Sequence, residues 1–239
     1  MSYLDVNSGQ VVAQAPESER TAFIQRTYLH LAGAILAFMG LETLLIQAGM
    51  GEVMMQMLST SKWSWLLVLA LFMVVSYVAD RWAHSEISRG MQYLGLGIFI
   101  IAEAIVFLPL IFMALQYSAA PDASNVLLQA ALVTFALVAG ITYTAFSTKK
   151  NFSFLAPALS IGGMIAMGVI LASMVFGFSL GLVFFAVMIL FAAGAILYST
   201  SNIIHEYHTS QHVAASLSLF SGVALLFWYI LQFLMAFGE

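Results

Sequence analysis

Seven apolar stretches, each long enough to cross a bilayer, dominate this chain of 239 residues. They run over 27–48, 63–80, 93–116, 125–146, 152–175, 180–200 and 213–237. A helix needs roughly 20 apolar residues to cross about 30 Å of hydrocarbon. The breaks carry turn chemistry: Ala120-Pro121-Asp122, Lys149-Lys150-Asn151 and the very short Phe176-Gly177-Phe178-Ser179. Helices are the expected form, because open strands leave backbone groups unsatisfied in lipid and no period-2 alternation of barrel type is visible. The expected fold class is an all-α membrane protein, a bundle of seven transmembrane helices.

Composition closes the alternatives. The chain is 62% hydrophobic and only 8% charged, whereas soluble domains carry about 25% charged residues. So few charges could not cover the surface of a soluble enzyme, and disorder needs the opposite balance. The chain has no cysteine, hence no disulfide framework, thiolate metal site or cysteine nucleophile. A net charge of −4 without a basic stripe argues against a nucleic-acid partner.

Residues 1–20 are polar and have no apolar core of signal-peptide type, so a flexible cytoplasmic tail is expected there and one seven-helix domain over 21–239. Arg20 and Arg26 precede the first stretch, Arg81 and Arg89 lie between the second and third, and Lys149 and Lys150 between the fourth and fifth. The opposite side has only Lys62. The positive-inside rule then places the N-terminus in the cytoplasm and the C-terminus outside. Trp63, Trp65, Trp82, Tyr93, Tyr117 and Tyr207 fall near span ends, where interfacial aromatics belong. The small pairs Gly33/Ala37, Ala136/Gly140, Gly162/Ala166 and Gly168/Ala172 are expected to pack helices inside the bundle.

Charge inside a membrane is expensive, so the few acids within spans are informative. Glu103 lies near the middle of the third stretch, and Glu42 sits in the second half of the first, within reach of the interface. Asp80-Arg81 is expected as a solvated interfacial pair. A central glutamate must be protonated, pair with a cation or face water. Pro109, six residues beyond Glu103, is expected to kink the helix and free the carbonyl of Ile105. A carboxyl close to a freed carbonyl can hold a cation transiently. Alternatively, Glu103 is protonated and hydrogen-bonded to a neighbouring hydroxyl. His205, His208 and His212 would share one face of a helix and form a pH-sensitive patch. They lack the zinc-protease spacing and are as readily a solvated polar loop. No P-loop, nucleophile elbow or dinucleotide fingerprint is present, and no aligned nucleophile and base supports an intramembrane hydrolase. No catalytic residue, cofactor or metal ligand is expected.

The second half of the chain is more specific. Tyr143 followed by Ser147-Thr148-Lys149-Lys150-Asn151-Phe152-Ser153-Phe154-Leu155, the run Gly194-Ala195-Ile196-Leu197-Tyr198-Ser199-Thr200-Ser201-Asn202-Ile203-Ile204-His205, and Ser216-Leu217-Ser218-Leu219-Phe220 resemble the Bax-inhibitor family of seven-span proteins. The middle run is similar to its bacterial YccA-type branch. The resemblance covers about 125–237. It implies either of two activities: a calcium leak gated by two acids that share a proton, or modulation of an AAA-type membrane protease in the bacterial inner membrane. The chain departs from the gate. The acid of the sixth span would fall at Ser199 and that of the seventh near Ser221 or Gly222, and none of these side chains titrates. Glu206, seven residues past Ser199 on a similar helical face, lies toward the cytoplasmic mouth. The expected function is therefore modulation of membrane-protein quality control without enzymatic activity, with residues 1–20 as a handle for the protease. The alternative is a calcium or other cation path lined by Glu103, Ser199, Ser221, Gly222 and Glu206.

Overall fold

The computed structural model describes residues 10–85, 88–119, 124–148 and 150–238. The expected breaks at Pro121-Asp122 and Lys149, and the outer part of the N-terminal tail, lie outside the described residues. Eight α-helices are present there: α1 Glu17–Gln47, α2 Met50–Thr60, α3 Lys62–Ala83, α4 Arg89–Ser118, α5 Val126–Thr148, α6 Leu155–Phe176, α7 Leu182–His205 and α8 His212–Phe237. Seven of them are long and apolar enough to cross a membrane. The molecule is an all-α membrane protein with seven spanning helices.

The helix absent from the sequence reading is α2. Gly49, in the left-handed region at φ 74°, ends α1 and turns the chain directly into it. Eleven residues rise only about 16 Å at 1.5 Å each, too short to span. α2 packs against α4, and Gly51 makes this possible: a Cβ there would meet the ring of Phe112.

The spans alternate in direction. One end of the bundle, called the basic end here, carries Arg26, Arg81, Arg89 and Lys150 and gathers the 83–89 and 205–212 connections. α2 and the α6–α7 turn lie at the far end. α4 and α8 form the core of the bundle and carry more buried side chains than any other helix. Phe38 of α1 stands edge-on to Phe107 of α4 at 5.2 Å and to Phe220 of α8 at 6.0 Å, tying three helices together. Backbones approach most closely at Gly95, whose Cβ would lie 2.5 Å from the Ala79 carbonyl oxygen of α3, while at Gly222 a Cβ would lie 2.9 Å from the Ile196 side chain of α7. Of the expected small-residue contacts, Gly162 packs on Phe191 of α7, whereas Gly33, Gly140 and Gly168 face open space. Spacing alone could not separate inward from outward faces, because both are apolar in a membrane protein.

Residues 10–20 belong to the stretch read as a flexible tail, but the structure ties its inner part down. Val12 is fully buried. Its N–H donates to the Tyr207 carbonyl at 2.8 Å, and the Thr209 N–H donates to the Gln10 carbonyl at 3.0 Å. α1 then starts at Glu17, ten residues before the apolar stretch. The physical reason is Val11-Val12, two apolar residues in a polar run that find a buried slot on the 205–212 loop.

Candidate functional site

A cavity of about 1080 Å³ enters from the far end and narrows toward mid-bundle. Ser59 of α2, Tyr117 of α4 and Ala236 of α8 stand at its outer part, and Ser76 of α3, Glu103 of α4 and Ser221 of α8 at its inner end. The walls between are apolar or aromatic, with Trp65, Phe107 and Trp228 prominent.

Glu103 is 6% exposed. Among the described residues it has no hydrogen-bond or ion-pair partner. Of the two sequence alternatives, the hydroxyl-bonded glutamate is therefore not what the structure has. α4 continues through Pro109 to Ser118. Proline supplies no N–H to the carbonyl of Ile105, and Pro109 itself lines the same cavity as Glu103.

Glu42 does not reach an interface. It is 5% exposed, and both carboxyl oxygens are buried without a partner. Phe38 and Ile46 lie one turn before and one turn after it and pack into the core with α4 and α8, so the face that carries Glu42 points inward. It does not line the cavity.

The four positions linked to the expected gate separate. Ser199 Oγ lies 2.9 Å from Ser218 Oγ, a hydroxyl clip between α7 and α8. Ser221 lies one turn deeper and lines the cavity. Gly222 provides the close contact with Ile196. Glu206 is off the helix: α7 ends at His205, and Glu206 is an exposed cap residue with φ −120°. It lines a small surface pocket with Asn202, Tyr207 and Gln211.

The three histidines do not share one helix face, because α7 stops at His205 and α8 starts at His212. The chain breaks to let the loop fold inward. Burial pushes the Tyr207 hydroxyl up to about 12, and His208 pairs with Val11 across an isolated bridge. His205 Nδ1 is 2.9 Å from the Ser201 carbonyl. His212 is buried and meets instead His30 of α1, ring centroids 4.9 Å apart. His30 Nε2 lies 3.0 Å from the Tyr93 hydroxyl. No group of three or more metal-ligating side chains occurs among the described residues. Nor are Asp80 and Arg81 a pair: Asp80 approaches His84 Nδ1 at 3.3 Å, while the Arg81 guanidinium stands over the Tyr77 ring at 5.7 Å.

Sequence reasoning missed His30, Ser76 and Ser218. Ser218 was legible in principle. Partners in an antiparallel hairpin lie equally far from its turn, and Ser199 and Ser218 sit six residues inside the ends of α7 and α8. The motif runs quoted above also meet: the Phe152 N–H donates to Ser201 Oγ at 2.9 Å, joining the 150–154 connection to α7.

An uncharacterized protein of Pseudomonas aeruginosa is 32% identical over 118 residues, 49% of this chain and 53% of that protein's length. Protein LIFEGUARD 4 of Arabidopsis thaliana is 27% identical over 225 residues, covering 91% of this chain and 85% of its own. Protein LIFEGUARD 2 of the same plant is 25% identical over 240 residues, with 95% and 92% covered. No solved structure matches the chain. Residues 20–239 match the family described as Inhibitor of apoptosis-promoting Bax1, and the chain belongs to that Bax-inhibitor family.

Proposed function

We propose that the protein is a cation path closed at one end: calcium ions or protons enter the far-end cavity, meet Glu103, and are held back at the basic end. The observation that carries this reading is the unpartnered Glu103 at the inner end of the cavity. A buried carboxyl with no partner is neutral or awaits a cation, and intramembrane acids mark ion paths by default. Beyond Ser221 the way is filled. The Ser199–Ser218 clip lies one turn on, then the buried start of α8, then the loop that Val12 straps down. The reading places the basic end in the cytoplasm by the charge bias, and takes the bacterial inner membrane from the resemblance to the YccA-type branch. It assigns the protein no enzymatic reaction.

We rank conduction above the protease-modulating role expected from the motif runs, because the inner part of the tail is docked rather than free. The test is calcium and proton flux into liposomes holding the purified protein, titrated from acidic to alkaline pH. Flux above empty liposomes that falls several-fold in Glu103→Gln is the expected result. Flux that Glu103→Gln leaves unchanged removes Glu103 from the path. No flux at any pH sinks conduction and returns the protease role to first place. That role is checked by deleting residues 2–9 and measuring association with an AAA-type membrane protease.

A further inference from the structure

The walls of the Glu103 cavity can pass a small cation but are poorly made to retain a bare metal ion. Calcium takes six to eight oxygen ligands, and among apolar side chains the inner end offers one carboxyl and the Ser221 hydroxyl, the Ser76 hydroxyl being buried. The volume, about 1080 Å³, is instead that of a pocket for a sizeable organic ligand, roughly 300–1,000 Å³. The aromatic wall is built. Trp65 of α3 stacks on Trp228 of α8 at 6.2 Å, and Trp228 stands edge-on to Phe107 of α4 at 4.9 Å. Aromatic faces attract organic cations. The only carboxylate among the lining residues is Glu103, and no basic side chain offsets it there. Met73 and Ser76 of α3 face the cavity from one side, Met167, Ile170 and Ser173 of α6 from the other, and the contacts of these two helices are chiefly with α4 and α7.

We propose that this cavity binds lipophilic organic cations, with an ammonium or phosphonium head at Glu103 and an apolar body against Trp65, Phe107 and Trp228. The proposal rests on the reading of Glu103 as a cation-binding group, and it adds the ligand's chemical class. An ion with a desolvated, charge-spread head loses little on leaving water, and its body fills space that would otherwise hold disordered lipid tail.

The experiment is equilibrium binding of labelled tetraphenylphosphonium to the full chain in nanodiscs, with empty nanodiscs subtracted. Saturable binding is expected, weakened by about tenfold or more in Glu103→Gln, since the carboxylate is the only charge facing the ligand. Glu42→Gln, the buried acid off the cavity, leaves it unchanged. Neutral triphenylphosphine oxide does not compete. Equal binding to Glu103→Gln, or equal competition by the oxide, overturns the proposal and leaves an apolar pocket for lipid tails; so does the absence of saturable binding. Should Glu103→Gln fail to fold, Ser76→Phe fills the inner end with the acid kept and must also abolish binding. Flux measured on the same preparations separates the two ideas. Glu103-dependent flux without phosphonium binding overturns this inference alone. Glu103-dependent phosphonium binding without flux overturns conduction alone.

Discussion

The two ends of the bundle are built on different principles. At the basic end the chain folds back on itself through several cross-links: Val12 hydrogen-bonds the Tyr207 carbonyl, His30 meets His212 and Tyr93, and Ser201 holds the Phe152 amide, although Gln92 Oε1, Asn202 Oδ1 and His212 Nδ1 are buried without partners. At the far end the helices part around a cavity whose one acid has no partner. A cross-linked end costs little to keep closed. An open end with an unpartnered acid is costly in isolation and makes sense when something enters. The contrast teaches that the site is defined less by where the polar residues cluster than by where an unpartnered acid also lines a cavity, as Glu103 does and Glu42 does not.

The largest effect is expected where α3 and α4 are clamped together near the basic end. The Cβ in Gly95→Ala would lie 2.5 Å from the Ala79 carbonyl oxygen and 2.7 Å from the Ala83 nitrogen, both backbone atoms that cannot step aside. α3 must then move off α4. The cost is about 3 kcal/mol, the top of the range for overpacking, less about 1 kcal/mol of helix propensity gained. A drop in the detergent-solubilised melting temperature measures it. Gly97→Ala, where nothing lies within 4 Å, is the control and should be neutral or slightly stabilising. Equal melting of both variants would show that the α3–α4 contact is not the clamp.

A comparable but more local effect is expected at the strap. Val12→Asp puts an unpaired carboxylate in a fully buried slot. The valine burial alone is worth about 1.5–3 kcal/mol, and the charge adds to the loss. The strap should detach while the seven spans stay folded. Hydrogen exchange at the Val12 and Thr209 amides, both bonded across the strap, then accelerates. If conduction is right, flux rises because one layer of the closed end is gone. Protected amides in the variant would mean that the two ends are not independent units.

How much of this was readable from sequence follows from what burial does to each residue. The spans were legible because seven long apolar runs leave no other fold in lipid, and Glu103 because a lone acid in such a run stands out. α2 was not, since its eleven residues continue an apolar stretch and only Gly49 and Gly51 hint at a turn and a close approach. Val12 was missed because two valines in a polar tail look incidental until the 205–212 loop supplies a slot. The resemblance pointed to Ser199 and to Ser221 or Gly222, but it could not show that Ser199 meets Ser218 across the hairpin. Glu42 looked shallow by its place in the stretch, but its rotation about the helix axis, shared with Phe38 and Ile46, decides its burial.

The hydroxyl clip sets the boundary between the ends and gives the next smaller effect. Ser199→Ala or Ser218→Ala removes one partner of a part-buried hydrogen bond at 2.9 Å. Each should cost about 1 kcal/mol or somewhat more, because the other hydroxyl is left unsatisfied, while the double variant is nearly neutral. A double-mutant cycle on melting reads this. Additive losses would show that the two serines do not depend on each other, and the boundary would then lie elsewhere.

The smallest effect belongs to the basic end. The Asp80 side chain beside His84 Nδ1, with the Asp80 carbonyl, raises the imidazole above the ordinary histidine value against the opposing pull of burial. A raised value means that the folded chain holds the proton more tightly than the unfolded one. The stabilisation is therefore complete below the ordinary histidine pKa and is lost as pH rises through the raised one. Both side chains are more than a third exposed, so solvent screening keeps the gain under about 0.5 kcal/mol. In Asp80→Asn the His84 resonances should titrate at lower pH, and the melting temperature should fall slightly in acid and not at alkaline pH. A titration that Asp80→Asn leaves unmoved would break the view that this end is held by paired polar groups, since here the partner can be removed without touching the core.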